Sequence, residues 1–196
     1  MSLVVLLAAG AASLAASTVR PVSLKELSVR AQRVTVGTIE SITSYKDSVS
    51  GRILSRVAVA ETQTLTGAAP SSFTFEMLGG TAGDVQEWIA GFPTFRAGDK
   101  VVLFLRGNTA TLAGPTVGMW QGVFFVQPDA SGAETVSNHA RQVVAGIRGD
   151  QVVISGPRGA AAGIAPAEQS TSPALTLDSF LSQVRAFRRA AGVAGR

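Results

Sequence analysis

The residues that could carry acid–base chemistry in this chain are mainly carboxylates in its β-rich part. They are Glu61, Glu76, Asp84, Glu87 and Asp99. Glu61 and Glu76 fall on neighbouring predicted strands, where they could face each other as the paired carboxylates of a glycoside hydrolase. Asp99 follows a glycine and is typical of a turn. A carboxylate-dependent hydrolase using Glu61 or Glu76 is therefore the enzymatic alternative.

The single histidine, His139, lies in the polar stretch Ser137–Arg141, without a Gly-x-Ser-x-Gly motif. One histidine and no cysteine cannot supply the ligands of a usual zinc site. The loop aspartates lack the alternating spacing of a calcium loop; they are Asp47, Asp84, Asp129 and Asp150. The glycine-rich run 79–83 lacks the Lys-Ser/Thr ending of a phosphate loop. The sequence therefore predicts no catalytic residues, no metal and no cofactor.

Aromatic residues are stronger candidates for a site. Trp88 and Phe92 follow the glycine-rich run on an irregular segment, and binding residues favour loops held by a rigid scaffold. Trp120 precedes another predicted strand. We therefore predict Trp88, Phe92 and Trp120 as ligand-binding residues, since exposed rings stack on sugars or on a partner's apolar side chains. The alternative is that these rings, with Phe95, only cover one end of the β-structure.

Composition excludes several classes of function. The net charge is +4, and 17 lysines and arginines are spread along 196 residues, apart from Arg185, Arg188 and Arg189. A nucleic-acid-binding protein usually concentrates basic residues on one face and interleaves aromatic ones, so no nucleic-acid partner is predicted. The absence of cysteine excludes thiol nucleophiles and fits a bacterial envelope or extracellular protein held by its core alone.

Residues 1–17 are typical of a signal peptide. The apolar run Leu3–Ala9 is followed by small residues up to Ala15-Ala16-Ser17, which suits cleavage after Ser17. The run is too short for a permanent membrane anchor, which needs about 20 apolar residues. We therefore predict an exported protein, periplasmic or extracellular, with no stable membrane span after processing. The alternative is a buried N-terminal helix.

Local patterns predict a mainly β chain with a helix at each end. Ser23 and Glu26 form a capping box before a helix over 24–31. Alternation and continuous apolar runs over 33–127 predict five or six antiparallel strands, and the run Val101–Leu105 is expected to be central and buried on both faces. Gly37 marks a bulge in the first strand. Further expectations are a polar turn at 44–51, a flexible loop at 79–83, a return strand at 108–114 and an edge strand at 152–154.

The C-terminal part predicts a linker and an amphipathic helix. Residues 156–172 are rich in Gly, Ala, Pro and Ser and are predicted to be mobile. Thr176 can cap a helix over 177–188, whose apolar stripe predicts docking on the β-structure. The predicted organisation is a signal peptide (1–17), a β-barrel domain (18–154), a low-complexity linker (155–174) and a C-terminal helix with its tail (175–196).

The order of motifs over residues 24–127 resembles a family of exported bacterial proteins of uncharacterised function. The motifs are Val34–Ile39, the long hairpin, Gly79-Gly80, Phe95–Leu105 and Gln121–Phe124. The same order is more weakly similar to the netrin-like domain of the tissue inhibitors of metalloproteinases. That resemblance implies an OB-like antiparallel β-barrel with a helix packed outside. Those inhibitors use an N-terminal cysteine that this chain lacks, so no inhibitory residue is carried over.

The sequence thus predicts an exported, non-enzymatic binding module for a protein, peptide or glycan ligand. The alternatives are a carboxylate-dependent hydrolase and a netrin-like metalloprotease inhibitor. A deep cleft with two carboxyl groups roughly 5–9 Å apart would favour the hydrolase. An aromatic surface without converging acids would favour binding.

Overall fold

The computed structural model describes residues 20–65, 72–107, 114–155 and 173–193. The predicted signal peptide, the low-complexity residues 156–172 and nearly all of the predicted return strand at 108–114 lie outside them. The helices are α1 (Leu24–Arg30) and α2 (Leu177–Ala190), and a 3₁₀ turn spans Met119–Gly122. The strands are β1 (Arg33–Lys46), β2 (Ile53–Thr64), β3 (Ser72–Leu78), β4 (Gly80–Ala82), β5 (Val85–Glu87), β6 (Lys100–Leu105), β7 (Val123–Pro128), β8 (Glu134–Asn138), β9 (Val144–Arg148) and β10 (Gln151–Ile154).

Six of these strands form one antiparallel sheet in the order β3-β2-β1-β6-β7-β8. The chain is mainly β, as predicted, and the predicted bulge is confirmed by a register shift between Val36 and Gly37. A Cβ on Gly37 would lie 2.6 Å from a methyl of Val59 and 2.7 Å from the carbonyl of Ala60. Glycine is therefore required where β1 lies close against β2 at the bulge.

Both faces of the sheet are covered, which explains the continuous apolar run of β6. Residues Val101–Leu105 are at most 3% exposed. Val102 and Phe104 join the helices in one core, whereas Val101 and Leu103 join Val57 and Phe75 in a second core on the opposite face. We call the first the helix face and the second the concave face.

Helix α2 is part of the fold rather than an appendage. Thr176 caps it by accepting from the Ser179 amide at 3.3 Å, and Phe180 lies in the same core as Phe104. Arg188, near the end of this helix, is 5% exposed and donates to the carbonyls of Ser28 (2.5 Å) and Ala31 (2.8 Å). It satisfies carbonyls at the end of α1 that have no partner within that helix.

The sheet is strongly curled. The ring of Phe95 lies 6.0 Å from that of Phe75 on β3 and 5.9 Å from that of Phe125 on β7. In a flat sheet, strands four places apart are separated by about 19 Å. One aromatic ring can bridge β3 and β7 only because the sheet bends around the concave face.

Several boundaries differ from the predictions. The predicted loop at 79–83 is mostly a small hairpin, because β4 pairs with β5, and β1 continues to Lys46 through the start of the predicted turn. Strands β8 and β9 were missed; the predicted edge strand, β10, pairs with β9 in a separate hairpin. Among the described strands, β3 and β8 are the two ends of the sheet and do not pair with each other. Closure of the sheet into a barrel therefore remains a prediction.

Candidate functional site

The candidate site is a groove on the concave face, covered in part by residues 88–95, which we call the strap. Gly79 and Gly80 turn the chain from the sheet edge onto this face, with φ of 94° and 129°. A Cβ on Gly80 would lie 2.3 Å from the hydroxyl oxygens of both Ser44 and Ser55. The two glycines therefore let β4 begin close to Ser44 on β1 and Ser55 on β2, and the β4–β5 hairpin leads on to the strap.

The larger part of the groove, the outer cavity, has a volume of about 290 Å³. Trp88 forms part of its wall and is 73% exposed, so it meets the exposure that the binding interpretation requires. Phe92 lines the same cavity and is half-buried. The remaining apolar lining comes from the sheet and the strap: Ile42, Val57, Met77, Leu78, Ile89, Pro93 and Phe95.

Most polar side chains at the outer cavity already have hydrogen-bond partners. The hydroxyls of Ser44 and Ser55 are 2.8 Å apart, and Ser55 donates to the Gly79 carbonyl at 2.6 Å. Glu87 accepts from the guanidinium of Arg52 and from the Ile53 amide, and these bonds lower the pKa of its carboxyl group. The cavity therefore suits an apolar group better than one needing several new hydrogen bonds.

A smaller inner cavity of about 20 Å³ continues the groove between β3 and the start of β7. Phe92, Met77 and Trp120 are among its lining residues, and the rings of Phe92 and Trp120 are 5.5 Å apart. Trp120 also packs against Gly91, where a Cβ would lie 2.9 Å from the indole. The structure thus brings Phe92 to both cavities, Trp88 to the outer one and Trp120 to the inner one.

Arg141 fastens the end of the strap and was not singled out from the sequence. Its guanidinium lies 3.8 Å from the centre of the Phe125 ring and forms an ion pair with Asp99 at 2.7 Å. It also donates to the Thr94 carbonyl at 3.3 Å. Sequence spacing could not reveal this residue, because its hydrogen-bond partners, Thr94 and Asp99, lie more than 40 positions away.

Glu61 and Glu76 do not converge. Glu76 lies opposite Arg56 and accepts hydrogen bonds from it at 2.9 Å and from Tyr45 at 2.7 Å, which lower its pKa. Glu61 lies opposite Gly37, and its 2% exposed side chain has Arg33 at 3.8 Å and no hydrogen-bond partner. Strand alternation puts Glu61 on the concave face with Val59, whereas Glu76 points away from it.

The other candidates have local roles. His139 lies beside Trp120, with ring centres 6.3 Å apart, and burial lowers its pKa. Asp47 and Asp129 accept hydrogen bonds within their own turns from Ser50 and Ser131. No group of three or more potential metal-ligating side chains occurs in the described part of the chain.

Comparison with known proteins adds no relative: no family model, curated protein or solved structure matches the chain. Across the ranges that the structure describes, neither helix has the length and apolar character needed to cross a membrane.

Proposed function

We propose that this protein is an exported, non-enzymatic module that binds a protein, peptide or glycan ligand in its concave groove. The observation that carries the proposal is Trp88, a large aromatic side chain left 73% exposed at the wall of an apolar cavity of about 290 Å³. Exposed aromatic residues beside a cavity with a few polar groups are typical of binding sites.

The strap is held in place by the fold, and such rigidity favours ligand binding. It runs between β5 and β6 and carries Trp88 and Phe92, while Phe95 and the Arg141–Asp99 ion pair hold its far end. Binding residues on a loop fixed at both ends lose little freedom when a ligand arrives. This pre-organisation supports recognition without a catalytic role.

The finer description of the fold belongs to the same proposal. We infer an OB-like curled sheet whose described ends are β3 and β8, consistent with the order β3-β2-β1-β6-β7-β8 and the Phe95 bridge. The likeness to exported bacterial proteins and to netrin-like domains is offered on the motifs alone. The separation of Glu61 from Glu76 gives the hydrolase alternative no support, and no observation favours protease inhibition.

Replacing Trp88 by Ala tests the binding site. We expect Trp88→Ala to lower binding of hits from a glycan array and a displayed peptide library at least about tenfold, a typical loss at an aromatic hot spot. The free energy of unfolding should change by no more than about 0.5 kcal/mol, because the ring is exposed. Titration and urea unfolding measure the two effects.

Val49→Ala is the matched control, since Val49 is 94% exposed and lines neither cavity. It should leave both affinity and stability unchanged. Equal affinities of Trp88→Ala and wild type for every hit would refute the groove as the binding site.

Export is tested by the N-terminus of the protein from its native host. We expect it to begin at or near Thr18, because the apolar leader ends in small residues. N-terminal sequencing of the envelope and extracellular fractions measures this. An intact Met1 in a cytoplasmic fraction would contradict export.

A further inference from the structure

We propose that the ligand is an extended peptide segment of another protein, which adds a strand to the edge of β3 that no described strand pairs with and places side chains in the groove. This inference rests on the proposed function and specifies its ligand. The supporting observations are the backbone of β3, the contrast with the opposite edge of the sheet and the side chains that enclose the concave side of the β3 edge.

The backbone of β3 offers hydrogen-bonding groups to an incoming strand. The Gly79 amide bonds to the Ile53 carbonyl, and β2 and β3 pair without a register shift. Because amide directions alternate along a strand, Phe75 and Met77 bond towards β2, whereas Thr74 and Glu76 direct their N–H and C=O groups outwards. No backbone partner for the outward groups occurs in the described residues.

The two edges of the sheet differ in how far other described residues cover them. The outer edge of β8 is covered, since Val136 donates to the Leu175 carbonyl and Ser137 forms a bridge with Val143. Strand β3, with the sequence SFTFEML, has no proline, lysine or arginine to discourage pairing. Proteins normally blunt or cover such an edge. An edge that the described residues leave uncovered, beside an apolar groove, is therefore suited to a partner strand.

The groove would receive alternate side chains of the added strand. Phe75 and Met77 point from β3 into the inner cavity, and Met77 also reaches the outer one. Successive side chains of a strand point to opposite faces, so every second side chain of the peptide would lie against these two residues. Because the cavity hydroxyls of Ser44 and Ser55 are already paired, apolar side chains fit best.

The opening favours a single strand over a second copy of this chain. The Phe95 ring lies about 6 Å from the Phe75 ring on β3 and from the Phe125 ring on β7, so the strap and β7 enclose the concave side of this edge. A second copy would have to bring the edge of a whole curled sheet into this space. One extended chain occupies only about 4.8 Å beyond β3.

The probe is an octapeptide selected on the full chain from a phage-displayed random library and then synthesised. N-methylation of alternate peptide amides separates backbone pairing from side-chain contacts. Methylating the set that faces β3 should weaken binding at least about tenfold, whereas methylating the other set should leave affinity within about threefold.

Two further measurements locate the peptide. Hydrogen exchange at the Thr74 and Glu76 amides should slow at least about tenfold on binding, while the Phe75 and Met77 amides, already bonded to β2, report on general stability. Thr74→Pro removes one outward N–H and should weaken binding, since proline is tolerated where a strand edge faces solvent. Thr74→Val keeps the N–H and should bind as the wild type does.

The outcomes distinguish this inference from the proposed function. A peptide that needs Trp88 but is indifferent to N-methylation and to Thr74→Pro would overturn edge pairing and leave the binding module standing. If the glycan array yielded ligands and the peptide library yielded none, edge pairing would likewise be overturned and the binding module would stand. Concentration-dependent protection of Thr74 and Glu76 in the protein alone would assign the edge to a second copy and overturn the peptide ligand. Failure of both libraries to yield any ligand would overturn both proposals.

Discussion

The two tryptophans occupy different environments. Trp88 is exposed at the wall of the outer cavity, whereas Trp120 is half-buried between Phe92, Gly91 and His139. The exposed ring can stack on a ligand, while the packed ring supports the strap from below. The same residue type thus serves two purposes, and the difference comes from the neighbours that each ring acquires on folding.

His139 should make stability depend on pH. Burial beside Trp120 lowers its pKa, so the unfolded chain binds a proton more readily than the folded one. The free energy of unfolding should fall as pH drops below about 6.5, by at most about 1.4 kcal/mol per pH unit, and level off below the folded-state pKa.

Urea unfolding of the wild type and His139→Gln between pH 7.5 and 5 measures this effect. Because His139 is the only histidine, the variant should lose the slope in this window. Glu76 and Glu87, whose pKa values are lowered, lose their contribution only at more acidic pH. An unchanged slope in His139→Gln would contradict the assignment.

Among the elements, the β4–β5 hairpin and the strap convert a sheet edge into a groove. The hairpin begins at Gly80, and Glu87 ties β5 to the start of β2 through Arg52 and Ile53. The strap then crosses to Phe95, which wedges between β3 and β7. The position of the groove therefore depends on how the chain leaves β3.

Gly80→Ala should destabilise the fold and disturb the outer cavity. Its φ of 129° suits glycine alone, and the new Cβ would lie 2.3 Å from two serine oxygens. We expect a loss of more than about 2 kcal/mol in the free energy of unfolding. Chemical denaturation measures the loss.

Gly83→Ala is the matched control. Gly83 also has a positive φ, 58°, but a Cβ there meets nothing within 4 Å. It should lose only about 1 kcal/mol, the cost of the left-handed backbone. Equal losses for the two variants would show that the close approach of Gly80 to Ser44 and Ser55 is unimportant.

At the scale of the whole molecule, one core joins the sheet to residues far apart in the chain. Phe180 on α2 lies 4.8 Å from the Phe124 ring and 6.3 Å from the Phe104 ring. Arg188 links the same helix to the end of α1. The C-terminal helix therefore belongs to the folding unit of the sheet.

Phe180→Ala should lower the free energy of unfolding by about 3–5 kcal/mol, as expected for a fully buried phenylalanine. Phe187→Ala removes the same groups from a partly buried position on the same helix and should cost less. Thermal or urea unfolding, followed by the far-UV circular dichroism of the sheet, measures the loss of stability in both variants. If Phe180→Ala left sheet unfolding unchanged, α2 would be an independent appendage.

Local sequence determined the main elements because their signals are local. Alternation predicted strands β1, β2 and β3, continuous apolar runs predicted β6 and β7, and capping residues with an apolar stripe predicted both helices. The short strands β8 and β9 were not predicted, because each is polar or contains glycine and is stabilised by pairing with a neighbouring strand. Periodicity shows which face of a strand is buried, but it does not show what buries it.

Of the candidate site, the sequence by itself determined the residue types, and only the tertiary structure decided which of them meet. It predicted Trp88, Phe92 and Trp120 from a loop beside a β scaffold. Folding separated Glu61 from Glu76 onto opposite faces and brought Arg141 to the strap. The physical reason is that sheet register and curl arise from contacts between distant residues, whereas turn and strand propensities act between neighbours.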